Sequence, residues 1–179
     1  MTKLWSRLFG YKHDREPAGL PISHLLSRVP LFEDLSRREL AAVERILHRR
    51  EYMKDEVIFR QDEIGMGMYI VCQGTVGIFS EPDNRELSVV TDGDFFGEVA
   101  LLDESPRSAT AIAKTNSILF GFFHPDLFQL LTRQPRLGMK IVLRVASHVG
   151  QSLRRANERV FALTAEVAAL KEAKPRLED

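Results

Sequence analysis

The chain has little with which to build covalent or catalytic chemistry. Its 179 residues contain one cysteine, Cys72, so no internal disulfide can form and an iron–sulfur cluster lacks its thiolates. A reducing compartment suits such a chain. The five histidines, His13, His24, His48, His124 and His148, show no H-x-H or H-x-x-x-H spacing, so the clustered metal ligands of a jelly-roll enzyme are missing. His48 and His124 are read as the ends or starts of helices. There is no nucleophile elbow, Walker loop or Cys–His arrangement, and Ser108 has no base beside it. Catalysis is left without support, and neither a cofactor nor a metal is expected.

An excess charge of either sign is also missing, because 25 Lys and Arg balance 25 Asp and Glu. Broad electrostatic capture of nucleic acid needs a basic surplus, so direct nucleic-acid binding is not expected. The pairs Arg37-Arg38, Arg49-Arg50 and Arg154-Arg155 read as solvated helix faces. No segment has the apolar length to span a bilayer, and the N-terminus has no continuous apolar signal core. The expected location is the cytoplasm. Residues 1–12 stand apart: Leu4, Trp5, Leu8 and Phe9 can share one helical face while Lys3, Arg7 and Lys12 add charge. Such a helix can lie on a membrane surface or a partner, although the preferred reading is a mobile arm or a patch folded onto its own domain. Residues 13–19 look like a linker.

What the chain does have is the run Gly93-Asp-Phe-Phe96-Gly97-Glu98-Val99-Ala-Leu-Leu-Asp-Glu-Ser-Pro106-Arg107-Ser108-Ala109-Thr110. Gly97 allows a tight backbone turn. Val99 to Leu102 can then form one or two helical turns whose free N–H groups suit an anion. A carboxylate at the mouth of a phosphate site repels its ligand unless it accepts a hydrogen bond from something such as a ribose hydroxyl, which is the part Glu98 can play. Arg107 compensates the charge with a planar fork that holds two phosphate oxygens. Glu98 and Arg107 could instead pair across a turn. That plainer arrangement requires neither Gly97 nor Ser108, and the whole set together favours a pocket.

This stretch resembles the phosphate-binding cassette of the cyclic nucleotide-binding domain family, found in catabolite activator-type regulators, cyclic-nucleotide-dependent kinase regulatory subunits and gated channels. The resemblance covers about residues 25–160. It implies that Glu98 binds the ribose 2′-hydroxyl and Arg107 the cyclic phosphate, with Phe96, Gly97, Val99, Ser108 and Ala109 completing the cage. At Gln61-Asp62-Glu63 the family usually has a glycine, so Asp62 is expected to make that turn. In catabolite activator-type relatives a Thr-Ser pair on the long helix contacts the purine. The matching residues here are Ala156-Asn157, and Asn157 would substitute through its amide. The ligand is expected to be cAMP, with cGMP as the alternative because Ser108 can also reach a guanine in the syn form.

The surrounding pattern supports a whole domain. Leu35, Leu40, Val43 and Leu47 fall at helical intervals, with Ser36 as N-cap and Glu39 as its capping-box partner. Between Glu56 and Phe123, short apolar runs at 57–59, 68–71, 75–79, 87–90, 109–112 and 118–120 alternate with turn signals. They predict a mainly β fold, an antiparallel β-roll or double-stranded jelly roll with flanking helices. A short helix follows, ending near Gln134-Pro135. Then Met139, Val142, Ala146, Val149, Leu153, Ala156, Val160, Leu163, Val167 and Leu170 repeat at alternating spacings of three and four. That heptad, with Val at a and Leu at d in its last part and Glu166 facing Lys171 of a partner, predicts a parallel two-stranded coiled coil. The first part of the helix is expected to pack on the β-roll, with Ile141, Leu143 and Val145 forming a second apolar face.

The expected organisation is an arm and linker at 1–20, the β-roll with short helices at 21–135, a dimerisation helix at 136–172 and a tail at 173–179. The expected function is a cyclic nucleotide receptor module that signals through helix movement to a downstream protein partner. No helix-turn-helix follows the long helix, which argues against a DNA-binding regulator. The rival reading is a dimerisation or scaffold module of the same fold that binds no nucleotide.

Overall fold

A computed structural model describes residues 22–173, with side chains to residue 171. The amphipathic segment 1–12, the linker 13–19 and the tail beyond 173 lie outside the described residues. The helices are α1 (Ile22–Leu26), α2 (Arg37–Glu44), α3 (Val99–Asp103), α4 (His124–Arg133) and α5 (Pro135–Ala173), with a 3₁₀ turn at Pro30–Phe32. The strands are β1 (His48–Tyr52), β2 (Val57–Phe59), β3 (Gly67–Gln73), β4 (Val76–Ser80), β5 (Arg85–Val90), β6 (Phe95–Phe96), β7 (Thr110–Ala113) and β8 (Ser117–Phe123).

The strands form two antiparallel four-stranded sheets, ordered β1-β8-β3-β6 and β2-β7-β4-β5. Strand alternation decides which side chains enter which core. On β3 and β8, Met68, Ile70, Phe120 and Phe122 point to the helices, where they meet Leu26, Val29, Phe32, Leu40, Val43, Leu127, Leu130, Leu137, Ile141 and Val145. Their neighbours Val71 and Leu119 point between the sheets with Val76, Phe96 and Ala111, against Tyr52, Phe59 and Tyr69. The β-roll expectation therefore holds. Two strands went unforeseen. β1 is read as the end of a helix in the sequence because Leu47 continues a helical spacing, yet α2 stops at Glu44 and His48 opens a strand paired with β8. β6 is two residues long and too short to show a period.

The expected cap is present: Ser36 Oγ accepts from the Glu39 N–H at 3.3 Å, and Glu39 Oε2 accepts from the Ser36 N–H at 2.8 Å. Glu39 Oε1 also accepts from Lys140 Nζ at 2.7 Å, joining α2 to α5. Chiefly through Lys140, and then through Ser36, its carboxyl is held down at about 2. Asp62 makes the turn where the family has glycine, with φ 66°.

α5 runs for 39 residues without a break. Gly138 lets its start lie on α4, since a Cβ there would come within 2.9 Å of the Leu131 backbone. Leu137, Ile141 and Val145 are buried, whereas Leu143 is 62% exposed and does not join that face. Beyond Ser152 every described side chain of α5 is exposed, including Val160, Leu163, Val167 and Leu170.

Candidate functional site

β6 ends at Phe96 and hands the chain to Gly97, whose φ of 74° is a left-handed conformation that glycine adopts without strain. Close approach also requires glycine here, because a Cβ would sit 2.5 Å from Arg107 Nη1. Arg107 Nη1 donates to the Gly97 carbonyl at 3.0 Å. The guanidinium lies over Phe59, with Cζ 4.0 Å from the ring centroid, a cation–π arrangement. Phe59, Tyr69 and Phe96 form an aromatic floor with centroids 5.7–6.2 Å apart.

Arg107 is 7% exposed, one of three buried polar or charged residues in the described chain. Its backbone is fixed on both sides by the Asp62 turn: the Arg107 N–H donates to Glu63 O at 2.8 Å, and the Asp62 N–H donates to Arg107 O at 2.9 Å. Burial pulls the guanidinium below its usual value, while Tyr69, Glu63 and Glu98 oppose that pull. It remains a cation, since arginine does not deprotonate in proteins. A buried cation of this kind is costly without an anion.

Glu98 precedes α3, and its side chain is 17% exposed. The structure thus brings Gly97, Glu98 and Arg107 together beside Phe96, with Phe96 and Ala109 buried, while Ser108 and Val99 are exposed. Asn157 is not gathered with them. It lies exposed on α5, roughly 13 Å along the axis past the α5 residue that does meet the cassette. That residue is His148, whose Nε2 is 3.8 Å from Glu98 Oε1 and whose ring centroid is 4.6 Å from that of Phe95.

The sequence puts His124 at a helix boundary, and it is the first residue of α4, but its contacts were not foreseen. Its Nδ1 lies 3.0 Å from the Leu101 carbonyl of α3, its Nε2 is 3.7 Å from Glu104 Oε1, and its backbone N–H donates to Met66 O at 2.8 Å. A lone histidine at a helix start carries no signal of such contacts. His48 Nε2 meets Asp126 Oδ2 at 3.0 Å, which ties β1 to the same helix. Among the described residues no group of three or more His, Cys, Asp or Glu could hold a metal ion, and no helix is long and apolar enough to cross a membrane.

The family model described as the cyclic nucleotide-binding domain matches residues 49–134. The chain is 31% identical to the cyclic AMP receptor protein of Thermus thermophilus over 69% of its own length and 58% of the relative's. It is 36% identical to a cyclic nucleotide-gated potassium channel of Rhizobium etli over 60% of its own length and 29% of the channel's. Among solved structures, the N-terminal domain of a transcriptional regulator from Streptomyces coelicolor is similar at a TM-score of 0.64 and 30% identity, covering 75% of this chain and 92% of that one. The chain spans 32%, 58% and 17% of the length of three curated relatives it matches.

Proposed function

The chain belongs to the cyclic nucleotide-binding domain family, and from that membership we propose that it is a cyclic nucleotide receptor module that signals through its long helix to a protein partner. The observation that carries this reading is Arg107: a buried cation, braced by Gly97 and Phe59, at the mouth of a cradle that has Glu98 beside it. Arg107 takes the cyclic phosphate, Glu98 takes the ribose 2′-hydroxyl, and the Ser108 hydroxyl and the Ala109 N–H complete the cage. The ligand is cAMP by preference, with cGMP as the competitor. A charge-assisted hydrogen bond contributes about 1.5–3 kcal/mol, so this set can support a micromolar complex, which needs about 8 kcal/mol net. The reading assigns no catalytic step to the chain and places it in the cytoplasm.

Transmission follows from contacts between elements. Ligand that draws in the cassette moves α3, and His124 bonds the middle of α3 to the start of α4. α4 packs on α5 at Leu131 and Gly138. A shift at the cassette is thereby passed to the long helix, provided the ligand binds one placement better than the other. The exposed seam Val160, Leu163, Val167 and Leu170 supports a parallel homodimer. Asn157 remains the helix residue assigned to the purine, and it reaches the base only when α5 moves toward the cassette.

Isothermal titration with cAMP and then cGMP tests the proposal. Micromolar or tighter binding, abolished in Arg107→Ala while the thermal transition persists, is the expected result. Absence of heat and of thermal shift with both nucleotides would turn the reading to a dimerisation scaffold.

A further inference from the structure

The nucleotide-receptor reading is the premise here, and one residue is added to its site. His148 meets Glu98 from the opposite element: Nε2 is 3.8 Å from Glu98 Oε1, with the two side chains 31% and 17% exposed. Phe95 lies against the imidazole at an interplanar angle of 59°. The remaining charged groups near His148 are Glu33 beside the 3₁₀ turn and Arg144 one turn earlier on α5; the cleft they line also holds Pro30, Leu31, Ser147 and Gln151. Arg144 is already engaged by Glu33 at 2.8 Å and by Asp34. The open partner for a charged His148 is therefore Glu98, the carboxylate assigned to the ribose.

We propose that His148 is a proton-operated competitor for Glu98, a positioning residue that makes nucleotide affinity depend on pH. As imidazolium it pairs with Glu98, draws α5 onto the cassette and occupies the acceptor that the ribose hydroxyl requires. As neutral imidazole it releases both. An imidazole changes charge between pH 5 and 8, a range in which a guanidinium and a phosphodiester keep theirs. A cation added here would also attract the phosphate, but Arg107 already meets that group directly. The larger effect falls on the nearer carboxylate, so acidification weakens binding.

The test is calorimetric titration of the full chain with cAMP and cGMP at pH 6, 7 and 8 at fixed ionic strength, in wild type and in His148→Gln. The wild type is expected to lose roughly two- to fivefold in affinity from pH 8 to pH 6, while the variant stays level. Parallel profiles, or a His148-dependent tightening on acidification, would overturn the proposal. A second readout needs no nucleotide: a double-mutant cycle of His148→Gln and Glu98→Gln on the melting temperature at pH 6 is expected to show coupling, and strictly additive shifts defeat the pair. Absence of binding at every pH would defeat the receptor reading, and the competition with it, whereas binding with parallel profiles defeats the role of His148 alone.

Discussion

Glu39 shows how one side chain can answer to two elements. Its carboxylate accepts from Ser36 within the cap of α2 and from Lys140 on α5, and these bonds favour the charged form. Because its value in the folded chain is lowered from 4.5 to about 2, it stabilises the fold fully above the ordinary carboxylate range. That contribution is lost as pH falls from 4.5 toward 2. Glu39→Gln should therefore lower the melting temperature at pH 6 and do so much less at pH 3; equal shifts at both values would contradict the assignment. The Ser36–Glu39 half of this arrangement was legible, because a capping box has a fixed spacing of three. Lys140 was not, because its partner is 101 residues away. The same division runs through the site. Phe96, Gly97, Glu98, Arg107 and Ala109 lie within one stretch whose spacing announces them, while Phe59 under the guanidinium and His148 against Glu98 arrive from other strands and helices.

Among the elements, α4 sits between the cassette helix, the sheet and the long helix. His124 joins it to α3, Asp126 joins it to β1 through His48 and accepts from the Phe123 N–H at 3.1 Å, and Leu131 seats Gly138 of α5. Each bond is modest, about 0.5–1.5 kcal/mol, but together they connect the elements that the proposed signal from cassette to long helix would cross. His124→Phe keeps the ring against Phe128 and deletes the bond to Leu101. Nucleotide affinity is expected to stay within about threefold, since one neutral bond outside the cradle is lost. The ligand-induced change in hydrogen-exchange protection along α5 should shrink or vanish; an unaltered response would remove His124 from the route. The strands of the roll were visible where β-branched and aromatic residues cluster between turns, and β1 was hidden because His48-Arg-Arg-Glu-Tyr52 contains no apolar alternation. Its strand identity comes from pairing with β8, a long-range cause that local pattern does not register.

At the scale of the molecule, α5 has two faces with different purposes. Leu137, Ile141 and Val145 bind it to the roll, and the row from Val160 to Leu170 leaves the roll altogether with half or more of each apolar side chain exposed. Val160→Glu combined with Leu163→Glu is expected to convert a dimer to a monomer in sedimentation equilibrium without altering the monomer's fold; an unchanged mass would refute the seam. The division of the helix into a packed start and an exposed remainder was readable in advance, apart from the exposed Leu143. The length of α5 has a mechanical consequence. At 1.5 Å per residue, residues 153–173 extend about 30 Å past the last half-buried position, Ser152. A tilt of about 10° where α4 meets α5, a modest rigid-body change, then sweeps the far tip through about 5 Å. Under the receptor reading, an ångström-scale adjustment at the cassette would become a displacement as large as a full helical pitch at the far end, a lever ratio set by chain length alone.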